Sequence, residues 1–141
     1  MEIRTETEIA ASPEKVWEIL SDFGAYSEWN PLTIGVRGIL EEGETVKLKV
    51  SLKGKTMKRL HKISRVDPGS AICWRIISPL PWLIRGERCQ TIEAQENGHV
   101  VYRNCEGVEG LVGPLVSFFY GSAIRSALEA LGQALKQRAE S

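Results

Sequence analysis

Residues 44–63 read ETVKLKVSLKGKTMKRLHKI, and this stretch decides the class of the fold. Val46, Leu48, Val50 and Leu52 alternate with Lys47, Lys49, Ser51 and Lys53, the period of two that belongs to a strand with one buried face. Gly54-Lys55 then offers a two-residue hairpin loop with Gly first, suited to a type II′ turn. That loop predicts Leu52 opposite Met57, Val50 opposite Arg59, Leu48 opposite His61 and Val46 opposite Ile63. Arg59 and His61 therefore land on the apolar face of an antiparallel hairpin.

Downstream, Asp67-Pro68-Gly69-Ser70 is a turn, followed by a strand through Ile72, Trp74 and Ile76. Pro79-Leu80-Pro81-Trp82 breaks the pattern, and a strand resumes from about residue 84 to 94. Glu96-Asn97-Gly98 suits a three-residue loop with Gly98 left-handed, which pairs Ile92 with Tyr102, Gln90 with Asn104 and Arg88 with Glu106. A two-residue Asn97-Gly98 loop competes, and it would turn one strand's side chains to the other face. Upstream, residues 2–10 alternate as a half-buried strand. Ser12-Pro13 then starts a helix as N-cap and first helical residue, and a second short helix over residues 23–29 stops before Pro31. From about Leu111 to Ala139 the period is helical, with Ile124, Leu128, Leu131 and Leu135 on one stripe. The order is one strand, two short helices, six strands and one long helix, an α+β arrangement.

The 141 residues, 43% hydrophobic and 26% charged, make one domain spanning 1–141. Lys plus Arg and Asp plus Glu are each 18, in balance in both halves, which argues against nucleic acid as a partner. No stretch has the length of a membrane span, so stable membrane insertion is not expected, and the N-terminus lacks the character of a secretion signal. The expectation is a soluble cytoplasmic protein. Cys73, Cys89 and Cys105 have no CxxC spacing, and the hairpin register puts Cys89 across from Cys105 on the outer face. Directly opposed strand positions and a reducing compartment predict three free thiols.

Ser12-Pro13-Glu14-Lys15-Val16-Trp17 and the run Asp22-Phe23-Gly24-Ala25-Tyr26-Ser27-Glu28-Trp29-Asn30-Pro31 resemble the START/SRPBCC superfamily, in its polyketide cyclase/dehydrase-like branch. Val66-Asp67-Pro68-Gly69, Cys73-Trp74-Arg75, Gly86-Glu87-Arg88 and Glu106-Gly107-Val108-Glu109-Gly110-Leu111 carry the resemblance along nearly the whole chain. It implies a helix-grip fold, a seven-stranded antiparallel sheet wrapped around the long C-terminal helix, with a ligand cavity between them and two short helices closing one end. Leu115, Phe118 and Phe119, in the first half of that helix, would be part of the cavity wall. The superfamily spans carriers, receptors, cochaperones and a few enzymes, so the words fix the fold more tightly than the activity.

With even-numbered residues of the late strands facing inward, Trp74, Arg88, Gln90, Tyr102, Asn104 and Glu106 join the wall. Unpaired buried polar groups cost about 1–3 kcal/mol each, so these residues either satisfy one another, Arg88 against Glu106 above all, or orient a ligand's carbonyl or hydroxyl. His61 has no Asp or Cys partner at motif spacing, and the chain has no nucleophile elbow, phosphate loop or HExxH helix. His61 and His99 lie far apart in the strand order; no metal site and no cofactor are expected.

The expected partner is a small hydrophobic molecule with a polar end, such as a lipid, polyketide or isoprenoid. The alternatives are a cyclase or dehydratase, with Glu106 or His61 moving a proton while Arg88 stabilises an enolate, and a cochaperone-like module. The lysines of residues 47–65 read as the solvated outer face of an edge hairpin; docking on an anionic membrane or protein surface is the other reading. Trp82 is either packed on the last helix or, with the Gly110–Pro114 segment, part of a gate over the apolar end of the pocket.

Overall fold

The computed structural model describes all residues from Met1 to Ser141. In chain order the elements are β1 (Glu2–Ile9), α1 (Pro13–Ser21), a 3₁₀ helix (Phe23–Glu28), β2 (Thr33–Arg37), β3 (Thr45–Leu52), β4 (Lys55–Asp67), β5 (Ala71–Ile76), β6 (Arg85–Ala94), β7 (Val100–Glu109) and α2 (Gly113–Glu140). The strands form one antiparallel seven-stranded sheet in the order β1-β7-β6-β5-β4-β3-β2. With α2 held against its inner face, this is the α+β helix-grip arrangement that the sequence predicts.

Local chemistry explains the closed end. The Ser12 hydroxyl accepts a hydrogen bond from the Lys15 backbone N–H and Pro13 opens α1, so two orphan positions of the first turn are dealt with. Val16 and Leu20 are the buried stripe of α1. Asn30 ends the 3₁₀ segment with its side-chain oxygen accepting from the N–H groups of Leu32 and Thr33, at 3.0 and 2.8 Å, which turns the chain into β2. The main core gathers here: Val16, Leu20, Tyr26, Trp74, Tyr102 and Leu135 among others are all within 2% of full burial. Leu128, Leu131 and Leu135 are fully buried on α2, each contributing about 1.5–3 kcal/mol of burial. Gly132 lets α2 approach β1, since a Cβ there would stand 2.3 Å from Thr7 Oγ1.

The hairpins differ instructively. Between β6 and β7, Gly98 is left-handed (φ 83°) and its N–H donates to Gln95 C=O, while Gln95 N–H donates to His99 C=O. The three-residue loop gives the predicted pairs Ile92–Tyr102, Gln90–Asn104 and Arg88–Glu106. Between β3 and β4 the prediction is off by two. Lys53 (φ 52°) and Gly54 (φ 73°) both take positive φ, the requirement of a type I′ turn, and Leu52 pairs with Lys55, Val50 with Met57, Leu48 with Arg59 and Val46 with His61. A slip of two preserves the pleat, so Arg59 and His61 keep the inward face.

The cysteines also depart from expectation. Cys89 does stand across from Cys105, but Cys73 stands across from Cys89 on the other side, and these two are joined as a disulfide with Cα atoms 4.1 Å apart. That is the short spacing of the non-hydrogen-bonded positions in an antiparallel ladder, where opposed side chains come closest. Only Cys105 is free, its thiol 3.5 Å from a Glu2 carboxylate oxygen. No helix is long and apolar enough to cross a membrane.

Candidate functional site: a polar-ended cavity

Between α2 and the β3–β6 face lies a cavity of about 360 Å³, within the roughly 300–1,000 Å³ of small-molecule sites. Its walls are mostly apolar, with Leu48, Val50, Met57 and Ile76 from the strands and Val116, Tyr120 and Ile124 from α2. The polar residues on the wall are Thr33, Arg59, His61, Glu87, Arg88 and Glu106. Thr33, Arg88 and Glu106 are joined to one another, whereas Arg59 is exposed, its guanidinium donating to Lys58 C=O and resting on Met57 Sδ.

The ladder builds the joined group as a row. Trp74 on β5 opposes Arg88 on β6, which opposes Glu106 on β7. The Arg88 guanidinium carbon lies 5.0 Å from the Trp74 ring centroid, a cation–π contact, and its Nη2 donates to Thr33 Oγ1 at 2.9 Å. Arg88 Nε is 4.0 Å from the nearer Glu106 carboxylate oxygen, which is an ion pair but too long for a hydrogen bond. Arg88 Nε and His61 Nδ1 are both buried without a hydrogen-bond partner. Burial pushes the Glu106 carboxyl up from 4.5 to about 6, against the opposing pull of Arg88. Burial, then the Arg88 charge, push His61 down from 6.5 to about 4, so its ring is neutral near pH 7.

The other residues singled out from the sequence fall into two places. Gln90, Tyr102 and Asn104 face inward but line no open space: the Tyr102 hydroxyl donates to Gln90 Oε1 at 2.5 Å and accepts from Asn104 Nδ2 at 2.9 Å. This is a buried network inside the core, next to the cavity and not part of its surface. Leu115, Phe118, Phe119 and Trp82 are exposed (57, 82, 59 and 61%) and do not line the cavity. On α2 the inward face carries Val116, Tyr120, Ile124 and Leu128, spaced by fours, and this forces Leu115, Phe118 and Phe119 toward solvent. Trp82 is not packed away on α2; its C=O accepts from Leu111 N–H and the Leu83 C=O from Val112 N–H. Gly110 (φ 101°) lies so close that a Cβ would stand 2.6 Å from the Leu83 oxygen. The loop and the start of α2 are thus zipped together at the mouth. Thr33, Val116 and Tyr120 are wall residues that the sequence reading did not reach. Thr33 sits in a five-residue strand with a bulge, and the opening of α2 is apolar on every side, so no periodicity marks its inner face.

A sheet gripping one long helix around a cavity with a polar row on its wall is the helix-grip architecture. Over residues 1–140 the chain matches the family described as polyketide cyclase/dehydrase and lipid transport, and it belongs to that family. The fold is shared with a START superfamily protein from Mycobacterium smegmatis, at 24% identity over 99% of this chain and 97% of that one with a TM-score of 0.73. It is shared with the Zhui aromatase/cyclase from Streptomyces sp. R1128 at 20% identity, 99% and 93% coverage and a TM-score of 0.76. Ginseng major latex-like protein 151 from Panax ginseng superposes at 12% identity, 100% and 98% coverage and a TM-score of 0.79. At these identities the likeness is one of fold. No curated protein matches the chain in sequence.

Proposed function

We propose that the chain binds a small hydrophobic molecule in this cavity, with the molecule's polar end against Arg88, His61 and Glu106. The observation that carries the reading is the pair of orphan atoms, Arg88 Nε and His61 Nδ1, at the polar end of an otherwise apolar cavity. A buried polar group left unpaired costs about 1–3 kcal/mol, and a ligand oxygen between these atoms would recover it. Native mass spectrometry of the purified protein is expected to reveal a co-purified small molecule. Arg88→Met is expected to weaken displacement of the apolar anion 8-anilino-1-naphthalenesulfonate by the extracted molecule by about tenfold, the worth of one charge-assisted hydrogen bond. A protein that arrives empty and binds the probe equally well with and without Arg88 defeats the reading.

A second reading, a cyclase or dehydratase, is favoured by Glu106 alone. A carboxyl held at about 6 in an apolar site is poised to give or take a proton near neutral pH. Turnover of the co-purified molecule by fresh protein, abolished by Glu106→Gln, distinguishes enzyme from carrier.

A further inference from the structure

The outer face of the sheet carries its three cysteines in a single row. Cys73 on β5 opposes Cys89 on β6, which opposes Cys105 on β7. An arginine stands at each end, Arg65 of β4 opposite Cys73 and Arg4 of β1 opposite Cys105. Cys89 is bonded to Cys73, and Cys105 holds the free thiol. Cys89 therefore has a cysteine on each side and a bond to only one of them. Exposure differs along the row: Cys73 is 2% exposed, whereas Cys89 and Cys105 are half-buried.

The phase of the ladder hydrogen bonds sets the two spacings. Ile92 N–H donates to Ser70 C=O, which makes Ala71–Thr91 a non-hydrogen-bonded pair, and Cys73–Cys89, two residues on, is another. Gln95 N–H donates to His99 C=O, and counting back by twos makes Cys89–Cys105 a hydrogen-bonded pair, for which Cα atoms stand about 5.5 Å apart. Disulfides bridge Cα separations of about 4.4–6.8 Å, so the unbonded pair is within bonding reach. Direction fits as well. A thiolate attacks a disulfide sulfur along the axis of the bond that breaks, and the ladder sets Cys105 and Cys73 on opposite sides of Cys89. Burial and the Glu2 carboxylate hold the Cys105 thiol above its ordinary pKa, with Arg4 pulling the other way, so the thiolate is a minor form near neutral pH and the resting pairing persists.

We propose that Cys73, Cys89 and Cys105 form a thiol–disulfide exchange site. The Cys105 thiolate attacks Cys89 Sγ, the Cys89–Cys105 bond forms as the Cys73–Cys89 bond breaks, and Cys73 leaves as a thiolate that takes up the proton Cys105 gave up. One disulfide and one thiol stand on each side of the step, so it consumes neither oxidant nor reductant. The cross-link moves from β5–β6 to β6–β7, and the free thiol moves from a half-buried to a buried position. The site stands whatever the cavity holds.

Oxidised wild-type protein is held for about a day at about pH 8, quenched in acid, unfolded, labelled with N-ethylmaleimide and mapped by mass spectrometry. Label is expected on Cys73 as well as Cys105, with the Cys73 signal about tenfold or more above that of two controls that lack the attacking thiol. These are Cys105→Ala and wild type blocked with iodoacetamide at Cys105 beforehand. The geometry is tested by two further variants whose folding circular dichroism verifies. Cys73→Ala is expected to close Cys89–Cys105 under mild oxidation and lose the mass of a hydrogen pair. Cys89→Ala is expected to keep both thiols under the same conditions, because its cysteines lie two strands apart. Cys73 label no higher than in the controls overturns the proposal. So does a Cys73→Ala protein that keeps both thiols or pairs only between molecules, or a Cys89→Ala protein that closes as readily.

Discussion

The inward faces of β6 and β7 carry two polar groups one pleat apart, and they have opposite fates. At the closed end Gln90, Tyr102 and Asn104 interlock and are packed under α1 and the 3₁₀ helix, each at 1% exposure. One step along the same strands Arg88 and Glu106, with His61 across the sheet, face open volume. Both groups hold unpaired polar atoms, Arg88 Nε and His61 Nδ1 at the cavity and Gln90 Nε2 and Asn104 Oδ1 in the packed network, so access to open space is what differs. Residue types and strand register do not separate these groups. What separates them is whether a helix fills the space in front, and polarity on an inward strand face stays open to a small molecule only where nothing packs against it.

Substitutions at the two ends sharpen or break that comparison. The largest effect is expected from Tyr102→Ala, which should cost about 4 kcal/mol in urea denaturation near neutral pH, because it empties a packed site and strands two amides. If Val116→Ala in the cavity wall costs as much, the two ends are equally packed and the contrast fails. Next is Arg88→Met, which leaves Glu106 buried without its cation and should cost about 3 kcal/mol. Adding Glu106→Leu should return part of that loss, as measured in a double-mutant cycle; strict additivity would mean that the 4.0 Å separation carries no coupling.

The smallest effect concerns pH. Glu106 is raised in the fold, so its contribution to stability is complete below about 4.5 and is lost as pH climbs through about 6, a change of about 2 kcal/mol. His61 is lowered, so its contribution is complete above 6.5 and is lost as pH falls through about 4. Between about 4.5 and 6 the two slopes oppose each other. Glu106→Gln should therefore uncover a stability that rises with pH across that window in chemical denaturation. A profile identical to wild type would place Glu106 in effective contact with bulk water.

What the sequence revealed follows the strength of each local signal. Gly98 admits a left-handed residue where a three-residue loop needs one, and this single position carried the pairs of β6 and β7 into place. Lys53 hid the β3–β4 turn, since a lysine at positive φ is not announced by its chemistry; the resulting two-residue slip left the faces intact. The apolar opening of α2 was legible as helix but not as orientation. Leu115, Val116, Phe118, Phe119 and Tyr120 are all candidates for a wall, and only the closure of the sheet against residues 116, 120 and 124 sorts them. Cys73 and Cys89 were invisible as a pair for a related reason: the Pro79–Trp82 segment between β5 and β6 gives no register, whereas the Gly98 loop beside Cys105 does.

The β3–β4 turn sets how such a chain can change length. Adding or removing a dipeptide at Lys53-Gly54 lengthens or shortens two strands by one pair and leaves Arg59 and His61 pointing where they do. A single-residue change must be absorbed in a bulge, as β4 already does between Ile63 and Arg65, or it swings Lys58, Leu60 and Lys62 inward in place of the wall. Descendants of this sequence can therefore retune the depth of the pocket in paired increments at one hairpin while the polar row of Trp74, Arg88 and Glu106 stays fixed.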